Sequence, residues 1–308
     1  MKPFLIRLAL FLTLQLSVVG WVMHYGKPGS GTHYLCSIFD KCELIDSIDG
    51  PRVIMVGGSN VAFGIDSEKI GDAVGLEPVN FGVHGALGLD VYLQLLREKD
   101  RVRSGDVLLM MPEYAMLTGH QVYGDPKTVD LLTGVWPEAQ KYFRSERRSL
   151  KSFLDDDMFW LAHVWWLRAV DRVFGDVPPE TNVYQRGGFN RYGDMVAHLT
   201  LPRREFKKTT SLRRISAVRV AEVTARLNDF HEFCQSRGAE VFLLFPPLTA
   251  DSWQISQPAI DELEQRLHAQ LQFPVLGSPD QLVFSQDQFF DTPYHLTATG
   301  RQQRTSVV

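Results

Sequence analysis

The sequence predicts an α/β fold built on a parallel sheet with helices on both faces. Three observations carry that expectation. Short, wholly apolar runs recur, such as Val53-Ile54-Met55-Val56 and Val107-Leu108-Leu109-Met110-Met111. Strands that show no polar alternation are those buried on both faces. Longer amphipathic stretches separate these runs, and alternating strands and helices demand a parallel sheet. The first apolar run also ends in Gly57-Gly58-Ser59-Asn60, where glycine allows a sharp passage from strand to helix. In such sheets ligands lie beyond the carboxyl ends of the strands, and Ser59 stands at one of those ends.

Taken in order, the first strand is expected over 52–56, and Asp66 is the expected N-cap of a helix over 67–74. Residues 78–81 read as a second strand and 87–99 as a helix. The turn Ser104-Gly105-Asp106 introduces a third strand over 107–111. A long helix over 212–237 leads through Gly238 into a strand over 241–245. A helix over 260–271, a short strand at 275–276 and a closing helix from about Thr297 complete the pattern. The alternation breaks at about 115–211, read as a mostly helical insertion over the sheet's carboxyl edge. It holds the aromatic residues Phe159, Trp160, Trp165 and Trp166, and the loop Gly187-Gly188-Phe189-Asn190-Arg191-Tyr192-Gly193. The aromatic stripe suits core packing, or else a lid or a surface that meets the membrane or a partner.

At 308 residues, 44% hydrophobic and 22% charged, the chain has the composition of a globular protein with one large core. A net charge of -4 excludes a general nucleic-acid binder. The amino terminus differs from the rest. Residues 8–23 are an uncharged stretch of 16 residues, with Lys2 and Arg7 on the side expected to face the cytoplasm and Trp21 and Tyr25 at the far end. Residues 1–25 are therefore expected to form a membrane anchor or signal-anchor helix. Residues 26–50, with Gly26, Pro28, Gly29, Ser30 and Gly31, are expected to be linker, and 51–308 the exported domain. Cys36 and Cys42 are close enough in sequence to bridge a small loop in an oxidising compartment, and Cys234 reads as a buried free thiol. The 9 histidines are scattered without ligand spacing, so no metal site is expected. No flavin or nucleotide site is expected either, because the first loop lacks a phosphate-cradling pattern.

A serine hydroxyl becomes a nucleophile only when a base takes its proton and a third group orients the base. The best partner for Ser59 is His295, in Phe289-Phe290-Asp291-Thr292-Pro293-Tyr294-His295-Leu296-Thr297, with Asp291 four residues earlier to hold its other ring nitrogen. An oxyanion hole would draw on the amide of Ser59 and on that of Gly82 in Asn80-Phe81-Gly82-Val83-His84-Gly85. The alternatives at this level are a helix-capping Ser59 and a capping or surface His295.

These blocks, in this order, resemble the SGNH (GDSL-like) hydrolase superfamily. The layout is most similar to its membrane-anchored bacterial branch, which includes teichoic-acid D-alanine transfer and exopolysaccharide acetylation proteins. The resemblance covers roughly 52–114 and 212–304. It implies a flavodoxin-like three-layer sandwich with Ser59 as nucleophile, His295 as base, Asp291 as orienting acid and the Ser59 and Gly82 amides as oxyanion donors. No cofactor is implied. Two positions depart from the family pattern. Where the family has an oxyanion Asn, this chain reads Met111-Pro112-Glu113-Tyr114, and Glu113 donates only if protonated. Where the family places its acid, three residues before the histidine, stands Thr292. Asn60 and Glu113 are candidate substrate contacts. The expected function is a cell-envelope esterase or acyltransferase acting on an O-acylated glycan or lipid, at a bacterial inner membrane with its domain facing the periplasm or exterior. The alternative is a non-catalytic accessory or binding component that works with a membrane acyltransferase.

Overall fold

The structure, a computed structural model, describes residues 2–25, 34–125, 128–129, 132, 136–142, 183–206 and 211–308, with main chain only for residues 2, 9, 18–25, 137 and 140. The expected aromatic helices around Phe159–Trp166 lie outside the described residues.

The chain forms an α/β domain whose main sheet has five parallel strands flanked by helices. In chain order the strands are β1 (Arg52–Gly57), β2 (Glu77–Asn80), β3 (Val107–Met111), β4 (Glu240–Leu244), β5 (Leu248–Thr249), β6 (Val275–Leu276) and β7 (Val283–Phe284). The main sheet runs β2-β1-β3-β4-β6, and β5 and β7 make a separate parallel pair. The strand order reverses direction between β1 and β3, and open parallel sheets bind ligands at that reversal.

The apolar strands follow a period of two across the sheet. Ile54, Val56, Leu108, Met110, Val241 and Leu243 face one buried core. Val53, Met55, Leu109, Met111 and Leu244 face a second, smaller one. The first core is covered by α2 (Ser37–Ser47), α5 (Leu89–Arg97), α7 (Ala217–Ser236) and α8 (Ala250–Gln270). The second is covered by α3 (Ser59–Gly64) and α4 (Ser67–Val74) through Val61 and Ile70. The short α6 (Tyr114–Leu117) follows β3, and α9 (Ala298–Val307) closes the chain. Thr297 caps α9 by accepting the Gly300 amide at 3.4 Å.

Several elements differ from expectation for identifiable reasons. Residues 37–47, expected to be linker, form α2, and Tyr34, Ile38, Cys42 and Ile45 are buried in the main core. That helix also separates the two cysteines. Six residues along a helix is a rise of about 9 Å, beyond the reach of a disulfide, and Cys36 and Cys42 are both buried free thiols. Cys234 is buried and free as expected. The helix expected from 260 begins at Ala250 and continues through Pro258.

The first helix, α1 (Lys2–Tyr25), exposes large apolar residues from Phe4 to Leu16. Among the described residues no helix is long and apolar enough to cross a membrane.

Candidate active site

Sheet register builds the centre of the site. Gly57 at the end of β1 pairs with Met111 at the end of β3. Two residues further along each strand come Ser59 and Glu113, which therefore leave the sheet side by side at the reversal point. The Ser59 hydroxyl donates to Glu113 Oε1 at 3.1 Å, and the Asn60 amide donates to the same oxygen at 3.4 Å. The Ser59 amide faces this carboxyl as well. A side chain at Gly58 or Gly85 would run into the Glu113 carboxyl oxygens, so two glycines clear the space it fills. Ser59 is 6% exposed and Glu113 5%. Burial pushes the Glu113 carboxyl above the ordinary carboxylate range, against opposing contributions from the Asn60 amide, the nearby His295 imidazole and Ser59.

The second half of the site comes from the loop before α9. Phe289 and Leu296 form an antiparallel bridge, and the tight loop between them holds Asp291 and His295. Asp291 Oδ1 lies 2.7 Å from His295 Nδ1. Thr292, three residues before the histidine, accepts the His295 amide on its hydroxyl at 3.2 Å. Asp291, four residues before the histidine, therefore still reaches the imidazole. The His295 ring stacks on Phe63 at 3.8 Å between centroids and 8° between planes. Phe63 lies one turn beyond Ser59 on α3, which brings the imidazole to the serine's helix. Among the described residues the Ser59 hydroxyl is bonded to Glu113 and not to His295. Burial alone would raise Asp291, but the bonds to His295 and Tyr184 outweigh it and hold the carboxyl below its ordinary range.

Tyr184 is the site residue that sequence reasoning missed. It belongs to the inserted segment, donates to Asp291 Oδ2 at 2.6 Å and sits 3.2 Å from His295 Nδ1. Nothing local signals this role, since the contact joins residues more than a hundred positions apart. The same segment is fixed to the site by main-chain bonds. The Met195 amide donates to Ala62 O at 2.8 Å, and the Arg204 amide to Phe290 O at 2.7 Å. His198, buried against Phe63 and Phe290, donates from Nε2 to Leu296 O, 2.9 Å away. Burial pushes its imidazole down to about 4.

Two expected site residues are already hydrogen-bonded within the protein. The Gly82 amide donates to Asn80 Oδ1 at 3.0 Å, so it is already paired rather than open to an oxyanion. A Cβ there would press on Val61 and on Gly58 O, and the glycine serves the close approach of two loops. Asn60 has a fully buried side chain whose carboxamide donates to Met111 O at 3.0 Å. It ties α3 to β3, its main-chain amide reaches Glu113, and its buried carboxamide oxygen has no hydrogen-bond partner among the described residues. Lys41 of α2 supports the same loop from beneath. Its ammonium donates to Asn80 O at 2.9 Å, to Gly193 O at 2.6 Å and also to Gly82 O. Burial pushes this lysine down to about 7. Among the described residues no group of histidine, cysteine or carboxylate side chains is placed to hold a metal ion.

No protein-family model matches the chain, and no curated protein or solved structure matches it.

Proposed function

We propose that the protein is a serine-dependent acyl hydrolase or acyltransferase of the cell envelope, built on an SGNH-like, flavodoxin-type three-layer domain. The observation that carries this reading is the Asp291–His295 pair at 2.7 Å, stacked over Phe63 on the helix that begins with Ser59. A carboxylate on one ring nitrogen fixes the tautomer and orientation of an imidazole and leaves Nε2 for proton transfer. Ser59 at a strand end supplies the nucleophile, and an ester carbonyl of an O-acylated glycan or lipid is the electrophile. The strand order β2-β1-β3-β4-β6 supports the flavodoxin-type arrangement. The exposed apolar residues of α1 support attachment to a bacterial inner membrane, with the domain on the periplasmic or outer side. In that setting an integral membrane acyltransferase is the proposed partner.

A specific observation favours a second reading. The amides nearest Ser59 have partners already, Gly82 with Asn80 and Asn60 with Glu113, and an ionised Glu113 opposes an oxyanion. On this reading the domain binds an acylated glycan without turning it over.

A fluorophosphonate probe separates the two. The acyl-transfer reading expects covalent labelling of the full-length protein that disappears in Ser59→Ala. An unlabelled protein, or equal labelling of Ser59→Ala, would leave the binding module as the better account.

A further inference from the structure

The serine has two acid–base groups within its surroundings, and its hydroxyl is committed to only one. Ser59 Oγ donates to Glu113 Oε1 at 3.1 Å, while His295 is held through Nδ1 by Asp291 at 2.7 Å. Building on the acyl-transfer reading, we infer that Glu113 is the catalytic base that takes the Ser59 proton in the first half-reaction, with His295 acting on the departing group.

Three features of the geometry lead there. The register of β1 against β3 ends at Gly57 and Met111, so Ser59 and Glu113 leave the sheet beside each other, within hydrogen-bond reach. Gly58 and Gly85 both lack the Cβ that would expel the carboxyl, so two positions in separate loops are shaped around it. Among the described residues its hydrogen bonds come from Ser59 and Asn60, and none from a lysine or arginine. The titratable and charged groups that face it are His295 from the loop before α9, Arg304 of α9, Tyr34 ahead of α2 and Tyr92 of α5. Burial raises its basicity against these neighbours, which suits a group that must accept a hydroxyl proton.

Ser59 Oγ attacks the acyl carbon while its proton passes to Glu113 Oε1; the Oγ–C bond forms and the carbonyl electron pair moves to oxygen. A neutral Glu113 no longer draws in the Ser59 and Asn60 amides, so the transfer that activates the serine also releases two donors to the new oxyanion. The intermediate collapses as the bond to the leaving alcohol breaks, and protonated His295 gives its Nε2 proton to that oxygen. Water or an acceptor hydroxyl then attacks the acyl-serine and passes its proton to His295 Nε2. The Ser59 oxygen departs with the proton that Glu113 held, and both groups return to their starting state.

The test is the rate of fluorophosphonate labelling of the full-length protein as a function of pH. Fluoride leaves without a proton, so this reaction needs the base and not the acid. Glu113→Gln is expected to slow labelling by about 100-fold or more. His295→Ala is expected to lose ester turnover yet label within about tenfold of the wild-type rate, since only the later proton transfers depend on it. Labelling of Glu113→Gln at or above the wild-type rate, or its loss in His295→Ala, would overturn the assignment and make His295 the base. If Glu113→Gln does not fold by near-ultraviolet circular dichroism, the pH profile of His295→Ala decides. A rate that still rises through one ionisation supports Glu113, and a flat profile overturns it. A wild-type protein that never labels removes the acyl-transfer reading itself, which is a different outcome from either variant result.

Discussion

Glu113 has a consequence for stability that needs no substrate to measure. Burial raises its carboxyl above the ordinary value of 4.5, so the folded state holds this proton more tightly than the unfolded chain. Stability that depends on the neutral form is complete below the ordinary value and is lost as pH rises through the folded one. Glu113→Gln, a neutral isostere, is expected to match the wild type in acid and to melt at a higher temperature at neutral and alkaline pH. Thermal denaturation across pH checks this, and a difference that does not widen with pH would contradict it. The residues of the site were unequally legible in the sequence. Ser59 announces itself through the glycines before it, and Asp291 and His295 are close in the chain. Glu113 is visible in the strand-end block Met111-Pro112-Glu113-Tyr114, although its contact with Ser59 needs the β1–β3 register. Tyr184 has no local signal because its partners are supplied by a distant loop.

Elements set what those residues can do. The turn from β1 into α3 works because Gly58 has no side chain to strike Glu113, and the turn at Gly85 clears the carboxyl from the other side. Gly85→Ala is expected to cost about 1–3 kcal/mol by overpacking and to displace Glu113 from Ser59. Gly187→Ala, with nothing within 4 Å of the added carbon, is expected to stay within about 0.5 kcal/mol of the wild type. Urea unfolding of the pair reads both, and equal midpoints would show that the space around Glu113 is not tight. At this scale the apolar strands were the most legible, since burial on both faces leaves an unbroken apolar run. The third strand, 107–111, and the helix 67–74 fall where their patterns place them. Boundaries failed where two signals conflict. The helix expected over 260–271 begins at Ala250 and passes through Pro258. The glycines near residue 30 extend the look of a linker into 37–47, where buried Ile38 and Ile45 make α2 part of the core.

Across the whole molecule, the two edges of the sheet are given to different tasks. The carboxyl edge carries Ser59, Glu113 and the His295 loop. The amino edge is locked by Arg52 and Asp106, both fully buried, with Nη2 to Oδ2 at 2.6 Å and Nε to Oδ1 at 3.1 Å. Removing one partner leaves a buried charge without its counter-ion, and Asp106→Ala is expected to cost about 3–5 kcal/mol. Because the pair stands at the far end of β1, fluorophosphonate labelling below the melting temperature should keep its rate while that temperature falls. A matching loss of labelling in the folded variant would mean that the edges are coupled.

The point at which the chain enters its globular part has a further effect. Tyr34 donates its hydroxyl to Val83 O in the loop beside the site, and its ring meets that of Tyr184 at 5.7 Å. Tyr25 ends α1, and at no more than about 3.6 Å per residue the intervening stretch can hold the two tyrosine backbones at most about 32 Å apart. Under the proposed membrane attachment, that length would confine Ser59, Glu113 and His295 to a thin zone around the surface that holds α1. Under the same proposal, cutting the chain within residues 26–33 is expected to leave the fold and the site in place and to abolish that confinement. If the protein is the proposed acyltransferase, acceptors fixed to that surface should then lose their advantage over freely diffusing ones.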